Sequence, residues 1–151
     1  MEFSLPHVLL VEDNDDDVFL TQHAFERAGI VCFWQIAADG EEAISYLSGE
    51  GVFADREAYP LPMVVLLDLK LPRKSGHEVL AWMDGQKSLQ KVIRVVLTGS
   101  NNPADVDRSY ALGAHGYLFK PITHDQLNLS GRSLKTVLLQ GRSPRPAPLL
   151  A

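Results

Sequence analysis

Charged and hydroxyl side chains follow short apolar segments at four places in the sequence. Glu12 and Asp13 follow the first of these segments, Asp68 follows another, and Thr98 and Lys120 follow two more. In an open parallel α/β sheet, ligand sites lie outside the carboxyl ends of the strands, where the loops carry chemistry. The sequence therefore predicts that these five side chains meet at one edge of a sheet.

The residue types at this edge suggest phosphate chemistry with a metal ion. Two unit negative charges about 4 Å apart repel each other by about 4 kcal/mol at an effective dielectric of roughly 20, so a carboxylate cluster favours a cation. Carboxylate oxygens suit Mg²⁺, with Mn²⁺ as an alternative. Lys120 could neutralise one phosphate oxygen and Thr98 could donate to another. Asp68 is then the candidate nucleophile, because a carboxylate that attacks phosphorus forms an acyl phosphate.

Five short β-rich segments alternate with longer amphipathic segments, which is typical of βα repeats. Most of the short segments are continuously apolar, as expected for strands that are buried on both faces. The predicted fold class is α/β, a doubly wound parallel sheet with helices on both sides. The five predicted strands are His7–Val11, Cys32–Ala37, Met63–Leu67, Val92–Leu97 and His115–Phe119.

Capping signals indicate where several helices begin. Asp39 with Glu42, and Thr123 with Gln126, have the spacing of capping boxes, and Asn102 before a proline is a further N-cap candidate. The last of these helices carries an apolar stripe. The stripe consists of Leu127, Leu134 and Leu138.

Two segments lack a regular pattern. The loop Gly49–Pro62 is longer than a usual connection, so it is either functional or an exposed lip, and we expect the proline-rich tail at residues 140–151 to be flexible. Near the site, Gly99 would keep the entrance for a phosphoryl group sterically open. Pro121 directly follows Lys120, and we expect a cis peptide bond there.

Composition excludes several classes of function. The chain has 151 residues, 46% of them hydrophobic, and a formal net charge of -5, which fits a single globular domain without a basic footprint for nucleic acid. No segment approaches the roughly 20 apolar residues of a membrane span. Cys32 is the only cysteine, so there is no disulfide framework. We therefore expect a cytoplasmic protein with neither nucleic acid nor membrane as a partner.

Four motifs together resemble the receiver domain of bacterial two-component response regulators. They are LLVEDN, LLDLKLPRKSG, VVLTGS and GYLFKPI, and Asp68, Thr98 and Lys120 also have the spacing of that family. The resemblance covers residues 5–139 and implies the flavodoxin-like receiver fold, with five helices and strand order 2-1-3-4-5. Three features resemble the small regulators paired with phytochrome-type histidine kinases. They are the sequence DLKLPRKSGHEVL that begins at Asp68, the long loop before the third strand and the lack of an output domain.

The resemblance also implies roles for the acidic residues. Asp68 would be the phosphoacceptor, which takes a phosphoryl group from a sensor histidine kinase. Mg²⁺ would be held by Glu12, Asp13, Asp68 and the main-chain carbonyl of Lys70.

Further roles follow by position in the same family. Thr98 and Lys120 would sense the phosphoryl group, and Tyr117 matches an aromatic switch position, although plain packing is the alternative for this ring. By the same resemblance, the side chains of Lys70 and Ser100 would flank the path of hydrolytic water. We expect Lys70 in particular to set the lifetime of the acyl phosphate.

The resemblance implies a signalling protein, not an enzyme, with at most self-phosphorylation and self-dephosphorylation. Its output would be a changed protein-interaction surface, and a homodimer through the fourth helix, fifth strand and fifth helix is expected. One alternative is a Mg²⁺-dependent phosphatase of the haloacid dehalogenase kind, but such enzymes need an acid where this chain has Lys70. A degenerate receiver that acts only as a scaffold is disfavoured, because every pocket residue is present.

Ordinary structural roles explain other polar residues. Asp15, Asp16 and Asp17 fit the solvent-exposed first turn of a helix, where the macrodipole favours negative charge. The five histidines show no metal-binding spacing and are interpreted as structural or surface residues. They are His7, His23, His77, His115 and His124.

Overall fold

The computed structural model describes residues 5–127, 134, 135 and 138. Strands and helices alternate along the chain, as the sequence pattern predicts. The elements are β1 (His7–Val11), α1 (Asp15–Arg27), β2 (Phe33–Ala37), α2 (Gly40–Ser48), a 3₁₀ turn (Gly51–Ala54), β3 (Val64–Asp68), α3 (Gly76–Asp84), a second 3₁₀ turn (Lys87–Leu89), β4 (Ile93–Thr98), α4 (Pro103–Ala111), β5 (Gly116–Phe119) and α5 (His124–Leu127).

The five strands form one parallel sheet in the order β2-β1-β3-β4-β5, which confirms the predicted topology. All residues of β3 and β4 are buried, because helices cover both faces of these central strands. The predicted strand bounds are wrong by one residue at several ends. Asp68 and Thr98 are the last residues of β3 and β4 and do not lie beyond them. Their side chains are thus fixed by the sheet itself.

Two apolar layers fill the space between the sheet and its helices. On one face, Phe25 of α1 packs with Leu127 of α5, and Leu134 and Leu138 are buried in the same layer, which confirms the predicted leucine stripe. We call this the α1–α5 layer. On the other face, α2 and α3 pack on the sheet, and Tyr110 of α4 contacts the same cluster. We call this the α2–α4 layer.

Side-chain caps set the starts of the helices. The Asp39 carboxylate accepts from the main-chain N–H of Glu42 at 2.8 Å, and the Asn102 side chain accepts from Ala104, so both predicted N-caps are confirmed. Among the described contacts the Glu42 side chain does not return to the Asp39 backbone, so the capping box predicted for this pair is only half formed. The Thr123 hydroxyl accepts from the N–H of residue 126 at 3.3 Å.

The expected second half of the Thr123 capping box is wrong. The Gln126 amide does not return to the cap; it exchanges hydrogen bonds of 3.0 and 2.9 Å with the main chain of Phe119. Gln126 therefore ties α5 to the end of β5.

The loop Gly49–Pro62 is more ordered than the sequence predicted. It contains a 3₁₀ turn, and the Arg56 guanidinium donates to the carbonyl oxygens of Tyr46 and Leu47 at 2.8 Å, next to the end of α2. These contacts add to the C-cap of α2, in which the main-chain N–H of Gly49 also donates to the Tyr46 carbonyl at 3.2 Å. Most of the predicted stretch at residues 128–139, and the tail at 140–151, lie outside the described residues.

The part of the chain that the structure describes contains no helix that is both long and apolar enough to cross a membrane.

Candidate functional site

Three carboxylates meet at the carboxyl edge of the sheet, as predicted. Oxygen atoms of Glu12, Asp13 and Asp68 lie within 4.8 Å of one another. Glu12 directly follows β1, and its main-chain N–H donates to Ala37 at the end of β2 at 2.9 Å. Glu12 and Asp68 are buried, whereas Asp13 is exposed. The cluster therefore has two carboxylates inside the protein and one open to solvent.

Lys120 supplies the positive charge of the site. Its main-chain N–H donates to the carbonyl of Thr98 at 2.9 Å, and its peptide bond to Pro121 is cis, as expected. The ammonium donates to Glu12, and to Asp68 Oδ2 at 2.9 Å. A third acceptor is Asp17 Oδ2 at 3.0 Å.

The contact with Asp17 corrects the sequence interpretation. Asp15 and Asp16 are exposed, as expected, but the Asp17 side chain is only 33% exposed and forms an ion pair with Lys120. A helix turns by about 100° per residue, so neighbouring acids in the first turn of α1 face different directions. From this rotation, the sequence could have indicated that Asp17 faces the site while Asp15 and Asp16 face solvent.

Burial and charge change the proton affinity of two of these groups. Burial, together with the negative charge of Asp68, raises the pKa of Glu12 to about 7, although the hydrogen bond from Lys120 acts in the opposite direction. Burial alone would lower the pKa of Lys120, but its hydrogen bonds to Glu12, Asp68 and Asp17 outweigh this and raise it. Lys120 is therefore charged throughout the physiological range.

The backbone around Asp68 is packed closely. The main-chain N–H of Lys70 donates to Asp68 Oδ1 at 3.2 Å, and the N–H of Gly76 donates to the carbonyl of Leu69 at 3.0 Å. A Cβ at position 76 would stand 2.3 Å from the carbonyl oxygen of Asp68, so only glycine allows this approach. The side chain of Lys70 is exposed, as expected for a residue at the mouth of the site.

Thr98 and Tyr117 lie on the other side of the site. The Thr98 hydroxyl accepts from the main-chain N–H of Ser100 at 3.2 Å, and the Tyr117 hydroxyl donates to the Ser100 carbonyl at 3.0 Å. The Tyr117 ring is 2% exposed and faces inward. Burial, followed by the negative charge of Asp105, raises the pKa of Tyr117. An added Cβ at Gly99 would meet no atom within 4 Å, so the space at this position does not itself require glycine.

Histidine side chains serve the scaffold, in agreement with the sequence interpretation. His77 Nε2 and the Ser109 hydroxyl form a buried contact of 3.0 Å between α3 and α4, and His115 Nδ1 accepts from the N–H of Arg94. His7 and His23 stack on phenylalanine rings.

The donor set fits a hard divalent cation. Three carboxylates converge without a nitrogen or sulfur ligand among them, which suits Mg²⁺ or Mn²⁺. A single ammonium is the positive charge that contacts Glu12 and Asp68 in the described part of the chain. A buried carboxylate beside a lysine and two further acids has the partners that suit a phosphoryl group.

The fold and the site define a response regulator receiver domain. Residues 8–130 match the response regulator receiver domain family, so the chain belongs to that family. Strand order, site residues and family membership agree with the resemblance that the motifs suggested.

Several relatives are similar along most of their length. The chain is 37% identical over 141 residues to the probable methanogenesis regulatory protein FilR2 of Methanothrix harundinacea, covering 93% of this chain and 88% of FilR2. It is 40% identical over 113 residues to the response regulator Rcp1 of Synechocystis, covering 75% of each chain.

Solved structures give the same result. The phosphorylated cyanobacterial phytochrome response regulator RcpA superposes with a TM-score of 0.72 at 36% identity, covering 82% of this chain and 86% of RcpA. The Mn²⁺-bound form of Rcp1 has a TM-score of 0.68 at 36% identity, covering 89% of this chain and 88% of Rcp1.

Proposed function

We propose that this response regulator accepts a phosphoryl group on Asp68 from a histidine kinase in a Mg²⁺-dependent reaction. The observation that carries the proposal is the contact of 2.9 Å between Lys120 Nζ and Asp68 Oδ2, within the cluster of Glu12 and Asp13. A carboxylate held beside an ammonium and two further acids has the partners that a transferring phosphoryl group requires.

The reaction that fits these residues is an in-line displacement. A carboxylate oxygen of Asp68 forms a bond to phosphorus, the phosphorus–nitrogen bond of the kinase phosphohistidine breaks, and the imidazole nitrogen keeps the electron pair. Bound Mg²⁺ would neutralise charge on the phosphoryl oxygens, and Glu12, Asp13, Asp68 and the carbonyl of Lys70 would hold it. Lys120 stabilises the remaining oxygen charge, because its ammonium already lies at the acceptor.

Thr98 and Tyr117 would report the modification to the surface. To donate to a phosphoryl oxygen, the Thr98 hydroxyl would move toward Asp68, and it would then lose the hydrogen bond that it accepts from the N–H of Ser100. Tyr117 holds the same loop through the Ser100 carbonyl. Because Ser100 also donates to Asp105 of α4 at 2.8 Å, movement of this loop would reposition α4.

The partner we propose is a phytochrome-type histidine kinase in the cytoplasm. The similarity to RcpA, which is a phytochrome response regulator by name, supports this pairing. Output would pass through the face formed by α4, β5 and α5, which we also propose as a homodimer interface. Phe119 is 43% exposed at the end of β5 and could contribute apolar area there. Sedimentation as a monomer at every concentration, with and without phosphoryl, would exclude the dimer.

The test of phosphoryl uptake uses acetyl phosphate and Mg²⁺ as probes. Intact mass should show one added phosphoryl group on wild-type protein and none on Asp68→Asn, while Asp16→Asn, an exposed acid in α1, should behave as wild type. Removal of Mg²⁺ with a chelator should abolish uptake. Uptake that persists in Asp68→Asn would show that another residue is the acceptor.

The phosphatase alternative gains no support from the structure. The position two residues after Asp68 carries Lys70, whose exposed side chain offers no second acid. Turnover of a phosphomonoester such as p-nitrophenyl phosphate by wild type, lost in Asp68→Asn, would restore that alternative.

A further inference from the structure

Lys120 is held by acids from three different elements of the fold. Glu12 follows β1, Asp68 ends β3, and Asp17 lies in the first turn of α1. Each of these carboxylates accepts a hydrogen bond from the same ammonium, whose side chain is 16% exposed. The ammonium thus has partners on the sheet edge, Glu12 and Asp68, and a further partner on a helix, Asp17.

Only two of these three acids belong to the cluster that fits a metal ion. Glu12 and Asp68 share that cluster with Asp13, whereas Asp17 is not part of it. A divalent cation on Glu12 and Asp68 would take over the negative charge that Lys120 now neutralises, and it would repel the ammonium. Metal binding would therefore weaken the contacts of Glu12 and Asp68 with Lys120, while the contact with Asp17 would remain.

The geometry of α1 keeps Asp17 in place for this purpose. The Asn14 side chain caps the helix by accepting from the main-chain N–H of Asp17 at 2.9 Å. The carboxylate of Asp17 does not contribute to that cap, so it can pair with Lys120 without cost to the helix start. Its partial exposure leaves it room to follow the ammonium.

We propose that Asp17 is a positioning residue that retains the Lys120 ammonium at the acceptor when Mg²⁺ occupies the carboxylate cluster. This inference rests on the proposed function. Asp17 does not touch the phosphoryl group; it acts through Lys120. Without it, the metal would drive the ammonium toward solvent, and the charge that stabilises the transferring phosphoryl oxygens would no longer be in position.

Matched variants in one helical turn test the proposal. Asp17→Ala removes the partner of Lys120, Asp16→Ala removes an equal charge from an exposed neighbour, and Asp17→Glu keeps a carboxylate. The direct readout is the ¹⁵N-resolved signal of the Lys120 ammonium, recorded with and without Mg²⁺. A hydrogen-bonded ammonium exchanges slowly with water and gives a visible signal, whereas a solvated one does not.

We expect the signal to survive Mg²⁺ in wild type, Asp16→Ala and Asp17→Glu, and to disappear with Mg²⁺ in Asp17→Ala. Phosphorylation by acetyl phosphate at saturating Mg²⁺ should slow about tenfold in Asp17→Ala alone, which matches the loss of one charge-assisted hydrogen bond. Circular dichroism before and after Mg²⁺ verifies that each variant is folded.

Two other results overturn the inference in different ways. An ammonium signal in Asp17→Ala that persists with Mg²⁺, together with a normal rate, would show that Asp17 does not retain Lys120, while the phosphoacceptor function stands. A wild-type protein that takes up neither Mg²⁺ nor phosphoryl would overturn both proposals.

Discussion

The hydroxyl of Tyr117 donates a hydrogen bond to the main-chain carbonyl oxygen of Ser100 across 3.0 Å. This contact joins β5 to the loop that leads from Thr98 into α4. It is made with the ring buried in the α2–α4 layer, so the inward position of Tyr117 has both an apolar and a polar stabilising contribution.

Replacement of Tyr117 by phenylalanine should therefore weaken the loop. We expect Tyr117→Phe to lower the free energy of unfolding by about 1 kcal/mol, the usual contribution of one hydrogen bond, as measured by urea denaturation. Tyr110→Phe is the control, because burial alone raises the pKa of the Tyr110 hydroxyl and no hydrogen bond joins it to the described residues. Equal stability of the two variants would mean that the contact with Ser100 contributes nothing.

Lys70 should slow the loss of the phosphoryl group. Its side chain is exposed beside Asp68, where a cation can pair with a phosphoryl oxygen and obstruct the approach of water. An exposed ion pair contributes up to about 1 kcal/mol, so we expect Lys70→Ala to accelerate decay of the acyl phosphate up to about fivefold. Decay would be followed by intact mass, with Lys91→Ala, an exposed lysine next to the start of β4, as the control.

Gly76 should be intolerant of substitution. A Cβ there would lie 2.3 Å from the Asp68 carbonyl oxygen and 2.7 Å from Leu69 Cα, so the backbone of the acceptor must shift. We expect Gly76→Ala to cost about 1–3 kcal/mol of stability and to slow phosphorylation. Gly85→Ala, where the added Cβ comes no closer than 3.6 Å to the Trp82 carbonyl, should preserve both properties. Normal phosphorylation of Gly76→Ala would show that the acceptor backbone tolerates the shift.

Cys32 should be unreactive in the folded protein. Burial raises the pKa of its thiol to about 12, and only the thiolate reacts with alkylating reagents. In the native protein, the rate of alkylation by iodoacetamide should therefore rise about tenfold per pH unit across the range from roughly pH 7 to 10, since the thiolate fraction grows by that factor. In denaturant the rate should level off above about pH 8.5. A native rate that also levels off there would contradict the raised pKa.

The sequence predicted the site because its side chains lie at the ends of strands. Asp68 and Thr98 complete apolar segments that are long enough to be recognised as buried strands, and parallel strands bring such ends together. The caps at Asp39 and Asn102 were also predictable, since capping is a contact between near neighbours in the sequence.

Contacts between distant elements could not be predicted in the same way. Asp17 and Lys120 are far apart in sequence, and their ion pair depends on how α1 is rotated against the sheet. The contacts of Arg56 with carbonyls next to the end of α2 depend on the path of the intervening loop. Gln126 had the right spacing for a capping box, but the free main-chain groups of Phe119 were the better partners. Short sequence patterns do not determine which of several possible partners a side chain contacts.

The sheet separates the α1–α5 layer from the α2–α4 layer. Leu118 of β5 packs in the α1–α5 layer, whereas its neighbour Tyr117 packs in the α2–α4 layer. A rearrangement that begins at Tyr117 would consequently act first on the α2–α4 layer, while α1, which carries Asp17, packs in the other layer. The domain would then present a constant surface for recognition by one protein and a variable surface for another.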